Sequence, residues 1–172
     1  MSQVCASNRA RRRGPCATFA GALPLLLCLA SAGCPSAPAP DGDSATIFPE
    51  NYRSAFVEVR GCRASIEHAA TIRVWVNEVG ADAYLADENP LPVGSVVVKE
   101  EYAGADCSDD ADLVAWSVMR KESAGFDAEA RDWRFQESAA PSRRVTIDGN
   151  STCLPCHLEP ECVARDLMCT EP

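Results

Sequence analysis

Near its C-terminal end the chain carries Cys153-Leu154-Pro155-Cys156-His157, and this run limits what the rest can be more than any other feature. Two thiols separated by two residues can reach the two vinyl groups on one edge of a porphyrin. The imidazole that follows is then positioned under the iron. The C-x-x-C-H pattern therefore reads as a c-type haem attachment site, with Cys153 and Cys156 as the thioether donors and His157 as the iron ligand. The competing readings are a disulfide, or a zinc site built from Cys153, Cys156, His157 and one of Cys162 or Cys169.

The beginning of the chain bears on that choice. Arg9, Arg11, Arg12 and Arg13 precede a short apolar stretch from Cys16 to Gly33 that ends in small residues, so residues 1–33 read as an export signal. Pro24 and the many small residues argue against a membrane span, and no second long apolar run follows. Ser31-Ala32-Gly33-Cys34 resembles a bacterial lipobox, although Ser31 stands where a larger aliphatic residue is usual. Cys34 is thus the expected lipid anchor, and residues 34–46 form a Pro-rich tether. The expectation is an exported, periplasmic, membrane-anchored lipoprotein; plain signal cleavage would leave a soluble periplasmic one. Export favours haem, because c-type haem is attached in that compartment.

Of 172 residues, removing 33 leaves 139, enough for one domain over 47–172 with a real core. The sixteen Lys and Arg lose the four leader arginines, leaving twelve against twenty-five acidic residues, a net charge of −13. That balance excludes nucleic acid and anionic lipid headgroups as natural partners. Six cysteines remain beyond the leader and lipobox: Cys62, Cys107, Cys153, Cys156, Cys162 and Cys169. If haem takes two, the other four suit two disulfides. A helical tail would hold Cys162 and Cys169 about 10 Å apart and force each to pair with Cys62 or Cys107. A looped tail would let them pair with each other.

Along the domain, apolar spacing from Asn51 to Arg63 predicts a first helix behind Pro49. Ile72 to Val76 alternates as a strand, and Gly80 to Ala86 suggests one or two helical turns. Pro90, Pro92 and Gly94 mark a turn. Ser95 to Tyr102, Leu113 to Met119, Asp132 to Gln136 and Val145 to Ile147 are β-rich runs separated by polar loops. The predicted class is α+β, mainly an antiparallel β-sheet with a few helices packed at its ends and over one face. There is no glycine-rich phosphate loop and no serine triad.

Histidine is scarce beyond the leader, where only His68 and His157 occur. His68 reads as a surface or capping residue, and Met119 and Met168 as packing residues, although each is able to ligate iron. The preferred state is therefore a high-spin iron with an open distal position that binds small molecules.

Three features in order resemble the cytochrome P460 family. Phe48-Pro49-Glu50-Asn51-Tyr52-Arg53 is similar to its opening motif, Gly94-Ser95-Val96-Val97-Val98-Lys99-Glu100 to its lysine strand, and Cys153 to His157 to its terminal haem site. Asp132-Trp133 fits a tryptophan-bearing strand between them. The resemblance spans residues 47–158. It implies that Lys99 is joined covalently to the porphyrin, and that the protein oxidises hydroxylamine with help from a distal acid as proton acceptor. Lys99 also stands out by itself, because it and Lys121 are the only lysines and it ends a valine run. A strand-end lysine reaching solvent beside Glu100 and Glu101 is the bland alternative.

The sequence departs from the family where the acid should be. Ungapped alignment puts Ala115 or Trp116 there, with Asp112 and Glu122 the nearest carboxylates, at the strand's ends. A second function follows from that departure: the related cytochromes c′-beta bind nitric oxide or similar gases in apolar pockets, and Val114, Ala115 and Trp116 suit one. A third, a periplasmic electron carrier, would need a sixth ligand such as His68 or Met119. The resemblance further implies a homodimer and a redox-partner cytochrome.

Overall fold

A computed structural model describes residues 45–169. Export leader, lipobox and all but the last two residues of the tether lie outside the described residues. Those two already belong to the domain: Gln136 Nε2 donates to the Ala45 carbonyl at 3.1 Å and Arg143 to the Thr46 hydroxyl at 2.9 Å.

Six strands form one antiparallel sheet in sequence order: β1 Phe56–Ser65, β2 Ala70–Asn77, β3 Val96–Tyr102, β4 Leu113–Lys121, β5 Trp133–Ala139 and β6 Arg144–Asp148. Among the described residues four short α-helices accompany them: α1 Tyr52–Ala55, α2 Glu78–Leu85, α3 Leu154–His157 and α4 Pro160–Val163. The α+β expectation holds. Among the described residues no helix is long and apolar enough to cross a membrane.

Strand pairing puts residues opposite one another on a common face, and successive residues on opposite faces. Val97, Met119 and Phe135 are register partners on what we term the front. They join Val74 and Val76 of β2, Tyr84 of α2, Leu154 of α3 and Leu167 in one core. Val98 and Val118 face the back, where Phe48, Tyr52 and Trp116 cover them. Val74, Val76, Val98, Trp133 and Leu167 expose essentially nothing, and burying each such side chain contributes about 1.5–3 kcal/mol. Close approach of α2 depends on Gly80, where a Cβ would fall 2.7 Å from the Ser95 hydroxyl oxygen.

The first element corrects the sequence reading. A helix was expected over Asn51 to Arg63, but helix occupies only one turn and strand β1 begins at Phe56. Pairing with β2 overrides the local spacing. Irregular register between Glu58 and Arg60 and again between Arg60 and Arg63 destroys the alternation that would have announced a strand.

Two disulfides join pairs of described residues. Cys62–Cys107 ties β1 to the loop after β3, and Cys162–Cys169 closes the tail on itself with Cα atoms 4.2 Å apart. Helix α4 ends at Val163, and left-handed backbone at Asp166 and Leu167 turns the chain back, so the looped alternative is the one realised.

Candidate functional site

The C-x-x-C-H run folds as a single helical turn laid on the front of the sheet. Leu154 buries into the core, Pro155 suits the first turn, and the turn is clamped at its start by Asn150. The Asn150 carbonyl accepts from the Leu154 N–H at 2.8 Å. Its side-chain amide donates to Asp127 at 2.7 Å and to the Trp133 carbonyl at 2.9 Å, while its Oδ1 accepts from the Phe135 N–H at 3.0 Å. One asparagine thus fixes α3 against the start of β5. No local pattern marks it.

His157 follows at the end of this turn. Its Nδ1 lies 2.5 Å from the Leu167 carbonyl, an acceptor only, so Nδ1 carries the hydrogen and Nε2 keeps the lone pair. Its ring packs edge-on against Phe135, centroids 4.8 Å apart. Burial pushes its pKa down to about 4, so the ring is neutral in the physiological range. Cys153 is a free, half-buried thiol. Burial, followed by the nearby Glu137 and Glu101 carboxylates, raises its pKa to about 11 and keeps it protonated.

Lys99 lies on the same face, in the middle of β3. Its register partners are Val74 on β2 and Ser117 on β4, and Ser117 in turn faces Glu137 on β5. Lysine, serine and glutamate therefore form a row across three strands. Lys99 is half-buried and burial lowers its pKa, against the opposing pull of Glu101 and Glu67. The solvent-reaching alternative for Lys99 is not what the structure has. Its Nζ meets His68 Nε2 at 3.0 Å, His68 Nδ1 meets Glu101 Oε1 at 2.7 Å, and the Ser117 hydroxyl donates to the same Oε1 at 2.5 Å.

His68 corrects the expectation of a surface or capping residue: it sits in the β1–β2 turn and reaches onto the sheet. Glu101 was legible in principle, since it stands two residues after Lys99 and shares its face. His68 and Glu137 come from distant segments and left no local signal. Met119 and Met168 pack in the core, as expected. Asp112 is exposed, and Glu122 pairs with Arg120, so neither joins the site. Trp116 points to the back and Val114 is 47% exposed, leaving only Ala115 of that trio on the front.

The donor set suits haem better than zinc. A fourth zinc ligand was to come from Cys162 or Cys169, but these bond to each other. Among the described residues no three His, Cys, Asp or Glu side chains are grouped to hold an ion directly. What remains is a reduced thiol at Cys153, a neutral imidazole with its lone pair on Nε2, and an amine two strands from a carboxylate. A thiol able to form a thioether and one nitrogen ligand fit a haem that brings its own four nitrogens.

No curated protein matches the chain. The family model described as Cytochrome P460 matches residues 49–169, from Pro49 of the opening motif to the cysteine that closes the tail. The match covers well over half of the sequence and includes Lys99, Cys153, Cys156 and His157, so the chain belongs to the cytochrome P460 family, whose members are haem proteins.

Proposed function

We propose that the protein carries one c-type haem through Cys153 and Cys156, ligates its iron with His157 and joins its porphyrin edge to Lys99, and that it oxidises hydroxylamine. The observation that supports this reading best is the convergence of Cys153, His157, Lys99 and two carboxylates on one sheet face. Bound haem would supply the open iron position and accept the electrons.

The protein's own residues do the rest. His157, anchored through Nδ1 to the Leu167 carbonyl, presents Nε2 as a neutral ligand in a fixed orientation. Glu137 serves as the proton acceptor for the substrate nitrogen. It is the less committed carboxylate, holding one hydrogen bond from the Thr146 hydroxyl at 2.7 Å, whereas Glu101 is taken up by His68 and Ser117. Glu137 on β5 thus stands in for the acid missing from β4.

The alternatives lose support. Gas binding drew on an apolar trio of which two members turn away from Lys99. Electron carriage needs a sixth ligand, but both ring nitrogens of His68 are engaged and both methionines are packed. The reading also has the protein lipid-anchored through Cys34, facing the periplasm, as a homodimer that passes electrons to a partner cytochrome; its net charge of −13 beyond the leader suits a basic one.

The test is Glu137→Gln in protein matured with covalent haem. Hydroxylamine turnover should fall by about 10²–10⁴-fold with the ferrous spectrum unchanged. Turnover equal to the parent's would remove Glu137 from the reaction. A parent with no turnover but tight nitric oxide binding would reinstate the gas-binding reading.

A further inference from the structure

Lys99, His68, Glu101 and Ser117 form a directional chain of hydrogen bonds. Glu101 is held ionised: burial opposes its charge, but bonds from His68 and Ser117 and the nearby Lys99 overcome that and lower its pKa. A carboxylate only accepts, so His68 Nδ1 carries the hydrogen it shares with Glu101. In the neutral ring Nε2 is then the acceptor, and the bond to Lys99 Nζ at 3.0 Å has the amine as donor. A nucleophile, a base within hydrogen-bond reach and a third group orienting the base is the arrangement that activates weak nucleophiles.

We propose that His68 is the base that takes a proton from the Lys99 ammonium, with Glu101 and Ser117 holding the imidazole, so that Lys99 is a nucleophilic amine poised for an electrophilic carbon. The balance is simple. One N–H bond of Lys99 breaks, an N–H bond forms at His68 Nε2, and the imidazolium stands against the Glu101 carboxylate with no change in net charge. No oxidant or reductant enters. Under the function proposed above, on which this assignment builds, the amine is readied for the porphyrin edge. The step assigned ends at the proton transfer, since bonding nitrogen to a ring carbon would also displace that carbon's hydrogen and give two electrons to an oxidant such as a peroxide. The transfer itself stands on the hydrogen-bonded chain alone.

Other charged groups act on Lys99. Glu67 in the β1–β2 turn and Glu101 favour its protonated form, Arg63 on β1 opposes it, and Cys153 on the far side is a neutral thiol until about pH 11. His157 is neutral as well. The base must therefore act against two carboxylates, which is why a side chain that accepts the proton differs from one that merely accepts a hydrogen bond.

The chain contains a built-in control. Lys121 is its other lysine, buried in an ion pair with Asp166 at 2.7 Å and set over the Trp133 ring. The experiment treats the full, haem-free chain with limiting trinitrobenzenesulfonate across a pH series and maps arylation of each lysine by peptide mass. The midpoint of each pH profile is the readout, because it is independent of access. Lys99 should react with a midpoint well below that of an ordinary lysine, and His68→Gln should move it upward and cut labelling at pH 7 at least tenfold. Glutamine can still accept the hydrogen bond at the Nε2 position but cannot take the proton, so a structural contact would survive the change. Persistent protection of Lys121 certifies that the variant is folded, and His68→Asn serves if it is not. An unmoved Lys99 profile in a folded variant overturns the proposal.

Haem-loaded protein separates the two claims. A parent without a shifted Soret band defeats the porphyrin bond but leaves the arylation result standing. A parent with the shift, lost in His68→Gln while thioether haem is retained, supports both.

Discussion

Adjacent residues on β3 teach opposite lessons. Glu100 faces the back of the sheet, fully buried, and every direction around it is filled: the Tyr52 hydroxyl, the Arg53 guanidinium and the Tyr102 hydroxyl all donate to it. Trp116 Nε1 adds a bond to the Tyr52 hydroxyl at 2.8 Å, and Arg53 reaches on to Asp110 at 2.8 Å. Lys99 faces the front, is half-buried, and among the described residues has no carboxylate bonded to its amine. Its hydrogen bond leads to a titratable ring instead. The back is a satisfied polar core that fixes β3 under the opening segment, whereas the front holds a charge in a form suited to chemistry.

If that division is right, front and back substitutions should damage different properties. The most severe functional loss is expected from His157→Ala, which should abolish normal iron ligation while thioethers still form. Its ferric and ferrous spectra should differ from the parent throughout; identical spectra would remove His157 from the iron. On the back, Glu100→Ala leaves Tyr52, Arg53 and Tyr102 without their acceptor. Removing one partner of such a buried network destabilises by about 3 kcal/mol, moderated here because Arg53 is one-third exposed. Urea unfolding should report that loss while the haem spectrum stays unchanged. A spectral change without a stability change would reverse the assignment of the two faces.

The same division explains what the sequence could disclose. Strands β2 to β6 follow from β-branched and aromatic runs between polar loops, and the haem motif needs only contiguous residues. Lys99 was marked by rarity and its place in a valine run. The opening motif was recognisable as a resemblance, but its work was not: Tyr52 and Arg53 serve Glu100, 48 and 47 residues away. His68 meets Lys99 across 31 residues, and Glu137 joins the row only because two successive strand registers carry it there. Such convergence depends on register, which a local pattern does not encode. β1 was missed for the converse reason, since its bulges erase the pattern that a regular strand displays.

The tail offers a milder way to probe the front. Leu167, whose carbonyl accepts from His157 Nδ1, lies within the loop closed by Cys162–Cys169. Replacing both cysteines with serine should lower stability by about 2 kcal/mol, the loop-closure contribution for so short a ring. It should also loosen the carbonyl and weaken the imidazole's hold on the iron. A change in the ferrous iron–histidine vibration would register that, and Asn150→Ala, which frees the other end of the turn, should add to it. A vibration unmoved in the double-serine variant would mean that core packing of Leu167 holds the carbonyl unaided.

The smallest effect has the most telling sign. Lys99 sits where burial disfavours its charged form, and its pKa is lowered. Between that lowered value and the ordinary 10.5, the unfolded chain binds a proton that the folded chain does not, so stability rises with pH across this window. Below it, both states are protonated and the folded state bears the full desolvation cost. Lys99→Met should therefore stabilise the haem-free protein on the acid side of this window, even though it removes a hydrogen bond to His68. The gain should shrink towards zero as the pH approaches 10.5. Glu100→Ala, one residue away, has the opposite sign. If Lys99→Met instead destabilised the protein on the acid side of that window, the front would be a structural network like the back, and the contrast between the two faces would fail at its centre.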